Sequence, residues 1–243
     1  MEKQSNYPVE QIPVENRHMS HWDMFATWIG ANANNGTWYI GGVVAACGLV
    51  LATKALVVSA ALSYVLLSLV GLMGYITGVS TMALTRSSFG IRGSYVPSVI
   101  NVIQFVGWTA VNTFIAATSL SILFHDFFGW KTYNATSNTG IFGVIIGILV
   151  MSVLHLISVS MGERSVQIIE RIGIIFVIGF VIWESIVVFR TVSFRQLVTW
   201  VVPHSEQLKA GHAMDILAAF NLAWVTAGAD FTRFTAKKGA ATH

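Results

Sequence analysis

The stretch GANANNGTWYIGG, residues 30–42, places asparagine amides in the middle of a long apolar segment. These amides belong to Asn32, Asn34 and Asn35, and Gly36 follows at once. An amide without a hydrogen bond in hydrocarbon costs several kcal/mol. If the segment crosses a bilayer, it is therefore predicted to be a helix broken near mid-depth. The alternative is an unbroken helix whose asparagines cross-link packed helices, each bond being worth about 1 kcal/mol.

Composition indicates that the chain lies in a bilayer. Hydrophobic residues make up 54% of the 243 residues, charged residues only 10%, and the mean hydropathy is +0.67. A spanning helix needs about 20 apolar residues. Six segments are long enough, near 24–50, 55–82, 95–124, 140–161, 166–189 and 213–231. Because these segments are too long for barrel strands, the predicted fold class is an all-α integral membrane protein with about six transmembrane helices.

The distribution of Lys and Arg predicts the orientation, because cytoplasmic loops carry an excess of both. With the N-terminus inside, nine of these residues fall on the inner side and five on the outer side. We therefore predict an integral protein of the cytoplasmic (plasma) membrane with both termini cytosolic. The net charge of +3 indicates contact with an anionic lipid surface rather than with nucleic acid. The predicted divisions are a cytosolic tail (1–23), a first five-helix repeat (24–189), an outer loop (190–212), a sixth transmembrane helix that begins a second repeat (213–234) and a cytosolic tail (235–243).

The third span, NVIQFVGWTAVNTFIAATSL (101–120), gathers its amides on one face. At about 100° per residue, Gln104, Trp108 and Asn112 lie within about 60° of Asn101. Polar groups in a spanning helix turn toward the protein interior or a wet cavity. An indole flanked by amides offers a flat heteroaromatic ligand a stacking face and in-plane hydrogen bonds. The alternative is an interhelical amide network around a packing tryptophan.

The sixth span ends in FNLAWVTAGADFTRF (220–234) and is short and partly polar. It is predicted to be interrupted, like the first span. Two irregular segments at corresponding places of a chain indicate the substrate site of an inverted-repeat transporter, which lies near the bilayer midplane. Asn34, beside the predicted break of the first span, is accordingly a predicted substrate contact.

Four motifs occur in a characteristic order. They are VENRHMSHWDMFATWIGANANN (14–35), SSFGIRGSYVPS (87–98), GW (107–108) with an amide four residues later, and ADFTRF (229–234). In order and spacing these motifs resemble the nucleobase:cation symporter family, the purine/cytosine permeases. The likeness covers residues 10–238. It implies the N-terminal half of a LeuT-like inverted-repeat fold, nucleobases or related heterocycles as substrates, and Na⁺ or H⁺ as the coupling ion with no other cofactor.

The resemblance also implies roles for particular residues. The family's helix-3 tryptophan, which stacks on the substrate ring, matches Trp108, and its partner amide matches Asn112.

In helix 6, a second aromatic covers the substrate ring in some members. Here that position holds Asn221, with Phe220 and Trp224 nearby. Backbone carbonyls at the break of helix 1 hold the cation in this family, and the matching stretch runs from Ile29 to Asn32.

Length is the main departure from the family, whose complete members have about twelve spans. This chain is expected to hold one five-helix repeat and the first helix of the next. Either it is a truncated product, or a partner chain supplies the remaining helices. The other expected partners are the lipid bilayer and the small-molecule substrate.

Two other classes of function are alternatives to transport. One is an inactive membrane remnant or a regulatory partner. The other is an intramembrane serine protease that uses Ser80 and His155, but GVSTM (78–82) lacks the G-x-S-G pattern such a nucleophile needs. The predicted protein is therefore not an enzyme. No metal site is expected, because the histidines are scattered rather than at ligand spacing.

Overall fold

In the computed structural model of the chain, the described residues are 11–161, 163–203 and 206–237, and side chains are described outside 163–171. Named secondary-structure elements within these ranges are helices. The α-helices are α1 (His21–Asn32), α2 (Asn35–Ala45), α3 (Leu49–Thr77), α4 (Thr81–Leu84), α5 (Arg86–Gly93), α6 (Tyr95–Phe128), α7 (Ile141–Ser160), α8 (Glu163–Thr191), α9 (Phe194–Thr199), α10 (Ala210–Leu222) and α11 (Gly228–Thr232). By length and composition, α3, α6, α7 and the segment Ile172–Thr191 of α8 can each cross a membrane. The predicted all-α membrane fold is confirmed.

The first span is broken where its asparagines predict. α1 ends at Asn32 and α2 begins at Asn35, with Ala33 and Asn34 between them in non-helical conformations. The Asn34 side chain accepts a hydrogen bond from the Thr37 backbone N–H at 3.1 Å, which caps the start of α2. The amides thus satisfy the backbone groups that the break exposes, and the alternative of a continuous helix is excluded.

The boundary between the first and second spans differs from the prediction. α3 begins at Leu49, not at residue 55, and ends at Thr77 rather than 82. Gly48 adopts a φ of +80° and Gly78 a φ of +70°, conformations that glycine reaches without steric cost. These two glycines delimit α3, so Lys54 lies inside the helix.

The sixth span is interrupted by a change of helix type. α10 runs from Ala210 to Leu222, a 3₁₀ segment covers Ala223–Ala227, and α11 begins at Gly228. This span therefore begins three residues before the predicted start at 213. Its interruption is confirmed.

Small residues allow the long helices to approach closely. α6 packs against α7, and α3 packs against α10 and α11. A Cβ on Gly147 of α7 would lie 2.8 Å from the carbonyl oxygen of Ala117 in α6, and a Cβ on Gly74 of α3 would lie 2.7 Å from the Cα of Ala229 in α11. Backbone approach at small residues is the usual way in which membrane helices associate.

The segment before α1 is attached to the end of α3. The Ile12 N–H donates to the Gly78 carbonyl oxygen at 2.8 Å, and the Arg17 guanidinium donates to the Tyr75 carbonyl oxygen.

The same segment also pairs with the residues after α11. The Met19 N–H donates to the Phe234 carbonyl oxygen at 2.9 Å, and the Ala236 N–H donates to the Met19 carbonyl oxygen at 3.0 Å. Residues 12–19 therefore connect the ends of α3 and α11.

Candidate functional site

A cavity of about 460 Å³ lies where the two broken spans meet α6 and α7. This volume suits a small ligand, since such sites enclose about 300–1,000 Å³. The lining residues are Asn34, Phe105, Trp108, Thr109, Asn112, His155, Ser158, Val159, Phe220, Ala223 and Trp224. Five of the predicted substrate contacts come together here, namely Asn34, Trp108, Asn112, Phe220 and Trp224.

The polar face of α6 holds this helix against both broken spans. The Asn35 side chain of α2 donates to the Asn112 carbonyl oxygen at 2.8 Å. The Gln104 side chain donates to the Ala223 carbonyl oxygen of the 3₁₀ segment at 3.0 Å. The predicted inward direction of this face is confirmed. Its amides do form interhelical bonds, but Trp108 and the Asn112 side chain face the cavity.

Aromatic rings form the apolar part of the cavity. The Trp108 and Phe220 ring centroids are 5.4 Å apart, and the ring planes stand at 82°. Trp224 is held by an edge contact with Trp28 of α1, at 6.0 Å and 89°. Perpendicular pairs of this kind are favourable beyond the area they bury, so they fix the rings in place. A flat ligand that stacks parallel to the Trp108 ring would therefore meet the edge of the Phe220 ring, and the reverse holds for a ligand that stacks on Phe220.

The two cavity asparagines differ in their remaining hydrogen-bonding capacity. Asn34 donates to the Ala31 carbonyl oxygen at 2.7 Å and accepts from Thr37, so both ends of its amide have partners. Asn112 donates through Nδ2 to the Trp108 carbonyl oxygen at 3.0 Å, whereas its Oδ1 is buried without a partner. A buried acceptor without a partner is costly. Asn112 Oδ1 therefore has an unused acceptor capacity, which a ligand donor can reach only when the side chain turns, because the oxygen is buried against Gly36.

The structure does not bring Asn221 to the cavity, which departs from the sequence prediction. Asn221 is buried, and on α10 it continues the face formed by Ala213 and Leu217. Those two residues pack against Ala55 of α3. Successive helical residues are about 100° apart, so Phe220 can face the cavity while Asn221 faces α3.

The carbonyls predicted to hold a cation lie at the end of α1. The Ile29 carbonyl oxygen accepts from the Ala33 N–H at 2.7 Å, and the Asn32 carbonyl oxygen accepts from the Thr37 hydroxyl. A carbonyl oxygen has two lone pairs, so each retains one for a further partner.

His155 and Ser158 of α7 line the cavity but were not predicted as substrate contacts, and His155 was considered only in the protease alternative. His155 is the single ionisable residue in the sequence of α7, and such a residue within a span indicates a functional site. His155 also lines a second cavity of about 640 Å³, together with Asn34 and Asn112, that extends along α6 to Leu123.

Comparison with known sequences assigns the family. Residues 11–243 match the profile of the family described as "Permease for cytosine/purines, uracil, thiamine, allantoin". The chain belongs to this permease family. The family resemblance drawn from the four motifs is therefore confirmed, and the family is one of permeases rather than enzymes, as predicted.

Individual relatives match about half of the chain. The "Purine-uracil permease NCS1" of Arabidopsis thaliana is 32% identical over 123 residues, 49% of this chain and 20% of that protein. A Bacillus subtilis (strain 168) protein provisionally named a purine-cytosine permease is 30% identical over 115 residues, 46% of this chain and 25% of that protein. An uncharacterized permease of Schizosaccharomyces pombe is 26% identical over 137 residues, 56% of this chain and 23% of that protein. The chain thus covers about a quarter or less of the length of these permeases.

Gly36 of α2 lies close to both cavity asparagines. A Cβ at position 36 would lie 2.8 Å from Asn112 Oδ1 and 2.9 Å from Asn34 Oδ1. Because flexible side chains can move aside, we expect Gly36→Ala to displace both amides while the fold is kept. Ligand affinity should fall roughly 10-fold, the cost of about one hydrogen bond.

Gly42→Ala is the control for this substitution, because a Cβ at position 42 of the same helix meets no atom within 4 Å. Both variants should be compared with the unaltered protein by equilibrium ligand binding and by thermal unfolding. Equal affinity in all three proteins would show that the position of these amides does not matter for binding.

Proposed function

We propose that the protein is a secondary active transporter of nucleobases or related flat heterocycles. The observation that carries the proposal is the cavity between the two broken spans, where Trp108, Asn112 and Phe220 converge. Transporters of the inverted-repeat kind bind their substrates between discontinuous helices at mid-depth. The family description and the printed names of two relatives agree with a nucleobase as substrate.

The chemistry of the cavity suits a planar heterocycle better than an aliphatic or charged molecule. Trp108 and Phe220 offer π-faces and edges to a flat ring, and stacking of this kind is worth about 1–3 kcal/mol per base. Asn112 Oδ1 has no partner within the protein, and once its side chain turns toward the cavity it can accept from an N–H in the plane of the ring. None of the described residues that line the cavity is Asp, Glu, Lys or Arg, which suits a neutral ligand.

We also propose that a cation, Na⁺ or H⁺, is coupled to substrate movement. For Na⁺, the ligands on this chain would include the carbonyl oxygens of Ile29 and Asn32, at the C-terminal end of α1. The C-terminal end of a helix carries a partial negative charge, which favours a cation. Binding of Na⁺ there and of a heterocycle beside Asn34 would connect the two sites through the same break.

The direct experiment is uptake of radiolabelled cytosine, uracil, hypoxanthine and allantoin by cells that express the protein. We expect concentrative uptake of at least one compound, and loss of that uptake either when Na⁺ is replaced or when the proton gradient is collapsed. Cells that carry the empty vector are the control. Equal uptake by both cell types would contradict the proposal and favour a chain without transport activity.

Orientation is part of the proposal, with both termini cytosolic. In a Cys47→Ser background, a cysteine at Thr136, in the exposed loop between α6 and α7, should react with an impermeant thiol reagent added outside intact cells. A cysteine at Ser88, which is also exposed, should react only after the cells are opened. The opposite labelling pattern would reverse the orientation that the Lys and Arg distribution predicts.

A further inference from the structure

We propose that His155 of α7 reads the hydrogen-bonding edge of the bound heterocycle, together with the amide of Asn112. This inference rests on the proposed function, since it concerns the same cavity. It assigns to α7 a role in ligand specificity, in addition to its packing against α6.

His155 lines both the cavity of about 460 Å³ and the adjoining one of about 640 Å³, and it shares both with Asn34 and Asn112. Ser158 lies one helical turn away and lines the first cavity. A ligand that stacks on Trp108 within the first cavity is therefore bordered on the α7 side by these two polar side chains.

Several polar side chains of the cavity already have hydrogen-bond partners within the protein. Asn34 has partners at both ends of its amide, Asn112 has a partner for Nδ2, and the Thr109 hydroxyl donates to the Phe105 carbonyl oxygen at 2.8 Å. In the part of the chain that the structure describes, no hydrogen bond is formed by the side chain of His155 or Ser158. The groups left for a ligand are thus an acceptor on Asn112 and the donors and acceptors of α7.

Such a pair matches one feature of nucleobases. Uracil and hypoxanthine present a ring N–H beside a C=O, so their edge offers a donor next to an acceptor. Asn112 Oδ1 can accept from the ring N–H, and a neutral imidazole can donate its N–H to the carbonyl oxygen. A site that hydrogen-bonds an N–H rejects the analogue that lacks it more strongly than an apolar pocket rejects an added methylene.

The test combines a change in the protein with a change in the ligand. Equilibrium binding of uracil, 1-methyluracil, 3-methyluracil, hypoxanthine and 1-methylhypoxanthine would be measured for the unaltered protein, His155→Leu and His155→Gln. His212→Leu is the matched control, because His212 is exposed on α10 and lines neither cavity. The protein change alone, the ligand methylation alone and the two together form a double-mutant cycle, which isolates the contact between His155 and the ligand edge.

We expect the unaltered protein to prefer one unmethylated base over its methyl derivative. His155→Leu should weaken binding of that base roughly 10-fold to 100-fold, the cost of leaving the carbonyl of the bound base without its hydrogen-bond donor. It should change binding of the methylated base much less, so the preference should collapse. His155→Gln should keep part of the preference, because its amide also donates and accepts.

The contrary results are distinct from one another. Equal losses for a base and its methyl derivative in His155→Leu would mean that His155 acts only on the structure of α7, and this would overturn the inference. Unchanged binding in His155→Leu would overturn it as well. Binding of no base by the unaltered protein would instead contradict the proposed function.

Discussion

Trp108→Ala is expected to weaken ligand binding roughly 5-fold to 150-fold, because stacking on an aromatic ring is worth about 1–3 kcal/mol per base. The loss should be larger than for a simple reduction in apolar area. Trp108 also holds the Phe220 ring in a perpendicular contact at 5.4 Å, so its removal leaves Phe220 without a neighbour that fixes its orientation. Trp108→Phe should retain part of the affinity, since a smaller ring still stacks.

Ile103→Ala is the control, because Ile103 is on the same helix, is 65% exposed and lines neither cavity. Affinity should be measured by equilibrium binding of a labelled nucleobase to membranes with matched amounts of each variant. If Trp108→Ala binds as tightly as Ile103→Ala, the stacking site is not at Trp108. If both variants lose affinity equally, the loss reflects general destabilisation of α6.

Gly147→Leu is expected to have the largest effect on the structure itself. A Cβ at position 147 would lie 2.8 Å from the Ala117 carbonyl oxygen and 2.9 Å from the Ala117 Cα, and Ala117 is completely buried. The obstacle is backbone, which cannot rotate away as a side chain can, so α6 and α7 must separate. Overpacking of this kind costs about 1–3 kcal/mol, sometimes more.

Separation of these helices should also abolish ligand binding, because α6 carries Trp108 and α7 carries His155. The measurement is thermal unfolding in detergent, followed by binding of the same labelled ligand. Gly179→Leu on α8 is the control, since a Cβ at position 179 meets no atom within 4 Å. An unchanged unfolding midpoint for Gly147→Leu would show that the close approach of α6 and α7 is not required for stability.

The sequence predicted those parts of the fold that depend on local chemistry. Amides inside an apolar segment must find partners, which is why Asn32 and Asn34 indicated the break of the first span correctly. The boundary before α3 was missed because it depends on one backbone conformation, the positive φ of Gly48, beside two further glycines that remain helical. The presence of a glycine in the sequence does not show whether it continues a helix or ends one.

The candidate site was predictable where a single helix carries its own polar face. Trp108 and Asn112 share one face of α6, so helical periodicity placed both toward the interior. The direction of His155 depends on how α7 rotates against α6, and that rotation is fixed by the contact of Gly147 with Ala117 rather than by the pattern of α7 itself. The prediction placed Asn221 at the cavity. Which face of α10 meets α3 depends on how the two helices pack, and here Asn221 faces α3 while Phe220 faces the cavity.

The pairing of Met19 with Phe234 has a consequence for the order in which the protein is assembled. The ribosome produces residue 19 before α1 and residue 234 only after α11, so the first segment cannot complete its contacts until the helices between them have been made. Contacts between residues so far apart in sequence form late, because the intervening chain must be ordered first. The attachment of residues 12–19 to both α3 and the residues after α11 therefore forms only after the two broken spans have packed together during biogenesis.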